Sequence, residues 1–159
     1  VHNFYVPAGG DIPDFDENPK FAHKLQFIKE MTAHFRSNKP HAEILVGDLN
    51  IAPEASDVWS SKQLLKVVSH TPVETNELKR LMVDGGWYDA VRAHFGEEQK
   101  LYSWWSYRAR DWAASNRGRR LDHMWVSHDL VNKILVAEIH RDLRGEDKPS
   151  DHVPISLIL

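Results

Sequence analysis

The chain has 159 residues, enough for one domain of ordinary size, and its 42% hydrophobic and 27% charged residues describe a folded globular protein. It has no cysteine, which excludes a disulfide scaffold, a thiolate metal site and a cysteine nucleophile, and fits a reducing compartment. The formal net charge of −3 offers nucleic acid no bulk attraction, and no run approaches the roughly 18 apolar residues of a membrane helix, so no membrane partner is expected.

The chain opens in "VHNFYVP", a β-branched and aromatic run without a methionine, as if entering mid-strand. An absent N-terminal part, or processing, is therefore expected. Residues 2–6 read as a short strand ending at Pro7, and "AGGDIPDFDENP" reads as loop. Asn18 then caps a helix with Pro19 at its first position. Phe21, Leu25, Ile28, Met31 or Thr32, and Phe35 recur every three to four residues as its buried face. Pro40 closes the unit and residues 42–47 form a second strand, so strand, helix and strand resemble a crossover of an α/β sheet. Residues 75–84 read as a helix carrying Leu78, Leu81 and Met82, with Gly85 as its stop. "WYDAVRAHF" reads as a second short helix, and "LYSWW", "RLDHMWVS", "ILVAEIH" and "VPISLIL" read as strands. The fold class is α/β, with more β in the second half.

Four groups of residues can carry chemistry. In "ILVGDLNIAPE" an apolar strand ends at Gly47, and Asp48 and Asn50 follow. Open α/β sheets bind ligands beyond strand ends, where a carboxylate can hold a divalent cation or take a proton, and an amide can donate to an oxyanion. A plain turn uses the same residue types. In "PSDHVPISLIL", Asp151 offers a hard ligand and His152 an acid, base or phosphate donor; a capping aspartate and a surface histidine are the ordinary alternative. In "RLDHMWVS", Asp122 sits in an apolar strand, where a carboxylate needs a partner: either an arginine or a histidine whose tautomer it fixes. In residues 102–120, Arg108, Arg110, Arg117, Arg119 and Arg120 interleave with Trp104, Trp105, Tyr107 and Trp112. Arginine grips phosphate and aromatic faces stack on bases or sugars, although core tryptophans beside a solvated arginine loop would give the same pattern. Trp59, Trp87 and Trp125 are expected in the core.

Taken in order, "NFYVPAGG", "LVGDLNIAP", "YSWWSYR…NRGRRLDH" and "SDHVP" resemble the exodeoxyribonuclease III family, bacterial-type abasic-site endonucleases of the endonuclease/exonuclease/phosphatase superfamily. The resemblance implies the C-terminal part of a four-layer α/β-sandwich with two packed mixed β-sheets. Residues 1–159 would then be a partial domain, lacking the N-terminal half that carries an asparagine and a metal-binding glutamate in an LQE-type motif. It implies Mg²⁺, with Mn²⁺ as a substitute, and a phosphodiesterase of base-excision repair that acts on duplex DNA at abasic sites and 3′ ends. The implied setting is a bacterial cytoplasm. Position by position it implies catalytic roles for Tyr5, Asp48, Asn50, Asp122 and His152, and metal contacts at Asp151, Asp48 and Asn50. It implies DNA contacts at Trp104, Asn116, Arg117 and Arg120. A phosphoesterase of lipid or inositol phosphates shares the same core motifs, and a fragment without its N-terminal ligand could be inactive or merely bind DNA. Such a fragment is expected to expose strand edges and to associate.

Overall fold

A computed structural model describes all residues, 1–159. Strand β1 (His2–Asn3) lies parallel to β2 (Ile44–Asp48), with His2 opposite Leu45. The amides of Phe4 and Val6 continue the pairing to the carbonyls of Val46 and Asp48, each at 2.9 Å. Between them runs α1 (Pro19–Ser37), whose cap Asn18 accepts a hydrogen bond from the Lys20 amide. Its buried face contains Phe21, Leu25, Ile28, Met31, Thr32 and Phe35, as the periodicity predicts, and also Lys24.

After a turn at Ala55–Asp57 and the short α2 (Ser61–Leu64), α3 (Pro72–Gly85) begins earlier than its apolar spacing indicates. Thr71 and Glu74 form a capping box around Pro72, and the left-handed residue at the C-terminal end is Gly86 (φ 78°) rather than Gly85. "WYDAVRAHF" is not one helix. Its first three residues form β3 (Trp87–Asp89), because Trp87 and Tyr88 pair with Ser127 and Val126, and only Ala90–Phe95 form a helix, α4. "LYSWW" forms no strand; Trp104 makes isolated bridges to Arg119 and His152. The basic segment contains one short helix, α5 (Trp112–Ser115).

Strand β4 (Asp122–Ser127) is antiparallel to both β2 and β3, giving a four-stranded mixed sheet in the order β1-β2-β4-β3. Strands β5 (Val136–Ile139) and β6 (Ile155–Ile158) pair antiparallel as a separate two-stranded sheet. The second sheet is thus antiparallel here rather than mixed. Alternation along β4 decides the layering. Trp125 faces Ile28, Phe35, Leu78 and Leu81 of α1 and α3, whereas Met124 packs with Ala137, Ile139, Ile155 and Leu157 of the small sheet. No helix is long and apolar enough to cross a membrane.

Candidate active site

The C-terminal end of β2 and the start of β4 meet because the two strands run in opposite directions. Asp48, the last residue of β2, stands directly opposite Asp122, the first of β4. Directly opposed side chains on an antiparallel pair share a face. Gly47 lets β1 approach this end of β2: its φ is 137°, and a Cβ there would lie 1.9 Å from the Phe4 carbonyl oxygen.

His152 arrives from the other end of the chain and completes the group. Its Nδ1 lies 2.8 Å from Asp122 Oδ2, and its Nε2 lies 3.9 Å from Asp48 Oδ2. Ligand atoms of Asp48, Asp122 and His152 all fall within 4.8 Å of one another. The buried Ser103 fixes two of the three. Its hydroxyl oxygen accepts from the amides of Leu121 and Asp122, each at 3.0 Å, and its carbonyl accepts from Val153 beside His152 at 2.8 Å. A serine inside "LYSWW" gives a sequence reader no signal for this task.

Asn50 has left-handed backbone (φ 53°), and its amide nitrogen donates to both Val6 O (2.8 Å) and Asp48 Oδ2 (3.0 Å). The backbone amide of Asn50 also donates to Asp48 Oδ1 at 2.9 Å. Both side-chain hydrogens are therefore engaged, so Asn50 orients Asp48 in this arrangement rather than offering a free donor. Its carbonyl oxygen remains the atom able to face a cation.

The electrostatics follow from this crowding. Burial, reinforced by the charge of Asp122, pushes the Asp48 carboxyl above its usual pKa. The hydrogen bond to Asp122 pushes the His152 imidazole above its ordinary pKa, with burial opposing and the charges of Asp122, Asp48 and Asp151 adding to it.

A cleft of about 630 Å³ opens over the group. Tyr5, Trp59, Trp104, Arg108, Arg117 and Arg119 line it with Asp48, Asn50 and His152. The Arg117 guanidinium lies 4.7 Å from the Trp59 ring centre and that of Arg119 5.3 Å from Trp104. Tyr5 is largely exposed at the rim.

Several expected residues sit elsewhere. Arg120 is a correction: it is fully buried, bonded to Asp57 (2.7 and 3.0 Å) and Asp89 (2.7 Å), and reaches no surface where DNA could lie. Arg119, which neighbours it in sequence, reaches the cleft instead. Asp151 is not part of the three-residue group; its carboxylate accepts from the Trp104 indole at 2.9 Å. Asn116 faces away from the cleft, accepting from the Trp105 indole at 3.1 Å beside Arg141. Trp87 and Trp125 are core residues as expected, but Trp59 is a cleft wall.

A divalent cation fits the donor set. Mg²⁺ takes oxygen ligands and is commonly held by one or two carboxylates together with substrate phosphate. Two opposed carboxylates, one of them with raised proton affinity, form a group that positive charge would relieve.

Residues 11–152 match the profile of the Endonuclease/Exonuclease/phosphatase family. The chain is 31% identical over 163 residues to "Exodeoxyribonuclease III" of Haemophilus influenzae, covering 98% of this chain and 59% of that protein. It is 36% identical over 118 residues to "Exodeoxyribonuclease" of Bacillus subtilis, covering 73% of this chain and 44% of that protein. An AP endonuclease structure from Archaeoglobus fulgidus superposes with a TM-score of 0.88 at 25% identity, over 99% of this chain and 60% of that one. A 3′ phosphatase from Neisseria bound to product DNA hairpin gives a TM-score of 0.87 at 27% identity, over 98% of this chain and 58% of that one. The chain thus spans about three-fifths or less of the length of these relatives. The family profile runs through both ends of the carboxylate–histidine group, and the chain belongs to the endonuclease/exonuclease/phosphatase family.

Proposed function

We propose that this chain carries the reacting side of a Mg²⁺-dependent phosphodiesterase of DNA repair, which cuts duplex DNA beside abasic sites and removes nucleotides from 3′ ends. The observation that carries the reading is the meeting of Asp48, Asp122 and His152 beneath a wall of arginine and tryptophan. The relatives named above as exodeoxyribonuclease III and AP endonuclease support it. In this reading the chain works with an N-terminal portion that supplies a further acidic ligand.

Each residue has a defined task. Asp48 orients the attacking water and takes its proton, and its raised pKa suits a base. Asn50 keeps the Asp48 carboxylate in one orientation. Asp122 holds His152 through Nδ1, so that Nε2 presents its proton to a phosphate oxygen as charge develops there. Arg117 and Arg119 grip the phosphate backbone, and Trp59 and Trp104 meet the nucleotide. Tyr5 approaches the scissile phosphate from the rim. Asp48 and Asp122, with the side-chain oxygen Oδ1 of Asn50, would hold a divalent cation, which would neutralise charge on the phosphate as a Lewis acid when bound.

The test is cleavage of an abasic duplex with Mg²⁺ by the intact protein. Asp48→Asn and His152→Ala are each expected to lower turnover by roughly a hundredfold or more. Unchanged cleavage by both variants would overturn the reading. Faster turnover of sphingomyelin or a phosphoinositide than of abasic duplex would assign the site to lipid phosphates instead. Duplex binding without turnover would make the chain a DNA-binding module.

A further inference from the structure

Lys24 is completely buried on the face of α1 that Phe21, Leu25, Ile28, Met31 and Phe35 make largely apolar. A charge in that position is costly unless paired, and an apolar side chain would fill the face without one. Its Nζ has three acceptors: Glu74 Oε1 at 2.5 Å, the Asn50 carbonyl at 2.8 Å and the Ala8 carbonyl at 3.3 Å. Three donors meet three acceptors. Glu74, also fully buried, accepts from the amides of Ser69 and Thr71 and from the Thr71 hydroxyl.

The pair grips both sides of the cleft floor. Two non-glycine residues with left-handed backbone lie at its ends, Asn50 (φ 53°) and Ser69 (φ 90°). Such conformations persist only where surroundings hold them, and they gather at functional sites. Lys24 bonds the carbonyl of the first, and Glu74 the amide of the second. Ser69 passes the link on, because its hydroxyl accepts from Arg119 Nη1 at 2.8 Å, and Arg119 lies over Trp104.

We propose that Lys24 and Glu74 form a buried positioning pair that holds the Asn50 turn against Asp48 and, through Ser69, the Arg119 wall of the cleft. The inference rests on the function proposed above. It assigns the pair to turnover and substrate placement, beyond its share in stability.

The test compares the intact protein with the double variant Lys24→Met/Glu74→Gln, which removes both charges while Gln keeps an acceptor for the Ser69 and Thr71 amides. The exposed pair Lys79 and Glu54, 2.9 Å apart, supplies the control Lys79→Met/Glu54→Gln. With abasic duplex and Mg²⁺, the buried double variant is expected to keep a cooperative thermal transition while kcat falls roughly ten- to a hundredfold. The control is expected to keep wild-type kcat and KM. The side-chain amide resonances of Asn50 in a 15N spectrum are expected to shift in the buried variant only, a readout that needs no turnover. Ser69→Gly, which accepts positive φ without strain, removes the shorter of the two bonds that Arg119 Nη1 makes to this segment, leaving the one to the Val68 carbonyl at 3.1 Å, with the ion pair intact. It is expected to raise KM several-fold at unchanged kcat, and it stands whether or not the double variant folds. Unmoved Asn50 resonances and kcat in a folded double variant would overturn the floor half of the proposal; an unmoved KM in Ser69→Gly would overturn the wall half. Loss of activity in Asp48→Asn together with full activity in the double variant would overturn this inference alone. Full activity in Asp48→Asn and His152→Ala would overturn the function beneath it.

Discussion

Asp48 and Asp122 face each other across the β2–β4 ladder, the last residue of one strand against the first of the other. Like charges directly opposed destabilise a sheet, and the fold retains them where Asp48 and His152, the partner of Asp122, line a cleft. Their mutual repulsion, Asp48's burial and the bond from Asp122 to His152 define the behaviour of the site.

Asp48→Asn is expected to make the protein more stable and less active. The folded-state pKa of Asp48 is raised, by burial first and by Asp122 second. An acid with a raised folded pKa binds its proton more tightly folded than unfolded, so stability falls as pH rises from the unfolded value of about 4 through the folded value, and the loss persists at neutral pH. The amide removes that loss. Thermal melts at neutral pH are expected to show a higher midpoint than wild type, with the gap closing as pH falls below the unfolded value of about 4. A lower midpoint at neutral pH would show that Asp48 is satisfied as a charge.

Asp122→Asn is expected to lower the pKa of His152, because the hydrogen bond from Asp122 is the largest cause of its rise. A histidine with a raised folded pKa contributes stability that is complete below the unfolded value of about 6.5 and is lost as pH rises through the folded value. In the variant this pH-dependent contribution shrinks, and the alkaline limb of any His152-dependent activity moves to lower pH. NMR titration of the imidazole checks the shift directly.

Adjacent arginines separate stability from binding. Arg120→Ala removes the guanidinium that Asp57 and Asp89 share, leaving the buried Asp57 with Arg92 as its one remaining cation, and is expected to cost about 3–5 kcal/mol. Denaturant unfolding measures this. Arg117→Ala, at the exposed end of the cleft, is expected to change stability by less than about 0.5 kcal/mol. It should reduce the salt dependence of duplex binding by roughly one ion. Equal stability of the two variants would contradict the burial of Arg120.

Gly47→Ala is expected to disturb the site from outside it. A Cβ at residue 47 meets the Phe4 carbonyl oxygen, and the backbone is in a region that side chains rarely adopt. A loss of about 1–3 kcal/mol is expected, with weaker protection of the Phe4 and Val6 amides in hydrogen exchange, since both donate to β2.

The small sheet leaves Leu135, Val136 and Ile158 substantially exposed. Contiguous apolar surface on an unpaired strand edge favours association. Light scattering of the 159-residue chain is expected to show concentration-dependent association, which Val136→Thr with Ile158→Lys reduces. A monodisperse monomer at all concentrations would remove this expectation.

Local rules made much of the chain legible in the sequence alone. The Asn18–Pro19 start and the apolar period of α1, the apolar run of β2 and the alternation of β4 reflect interactions within a few residues. So does the chemistry of the candidate site: Asp48, Asn50 and His152 could be singled out as residue types at strand ends and Asp122 as a carboxylate within a strand that needs a partner, and the order of their motifs in the chain carried the family resemblance. The tertiary structure decided which neighbours each of them meets. Antiparallel register set Asp48 against Asp122. Two adjacent arginines on opposite sides of the backbone sent Arg119 to the cleft and Arg120 to a buried ion pair. Pairing with β4 turned "WYD" into a strand where its own pattern reads as a helix. Lys24 left its mark in the sequence as a charge on an apolar helical face, yet its partners Glu74 and Asn50 come from other segments. Periodicity reports which side of an element is buried; what lies on the far side of that burial is a long-range contact, written only in the folded chain.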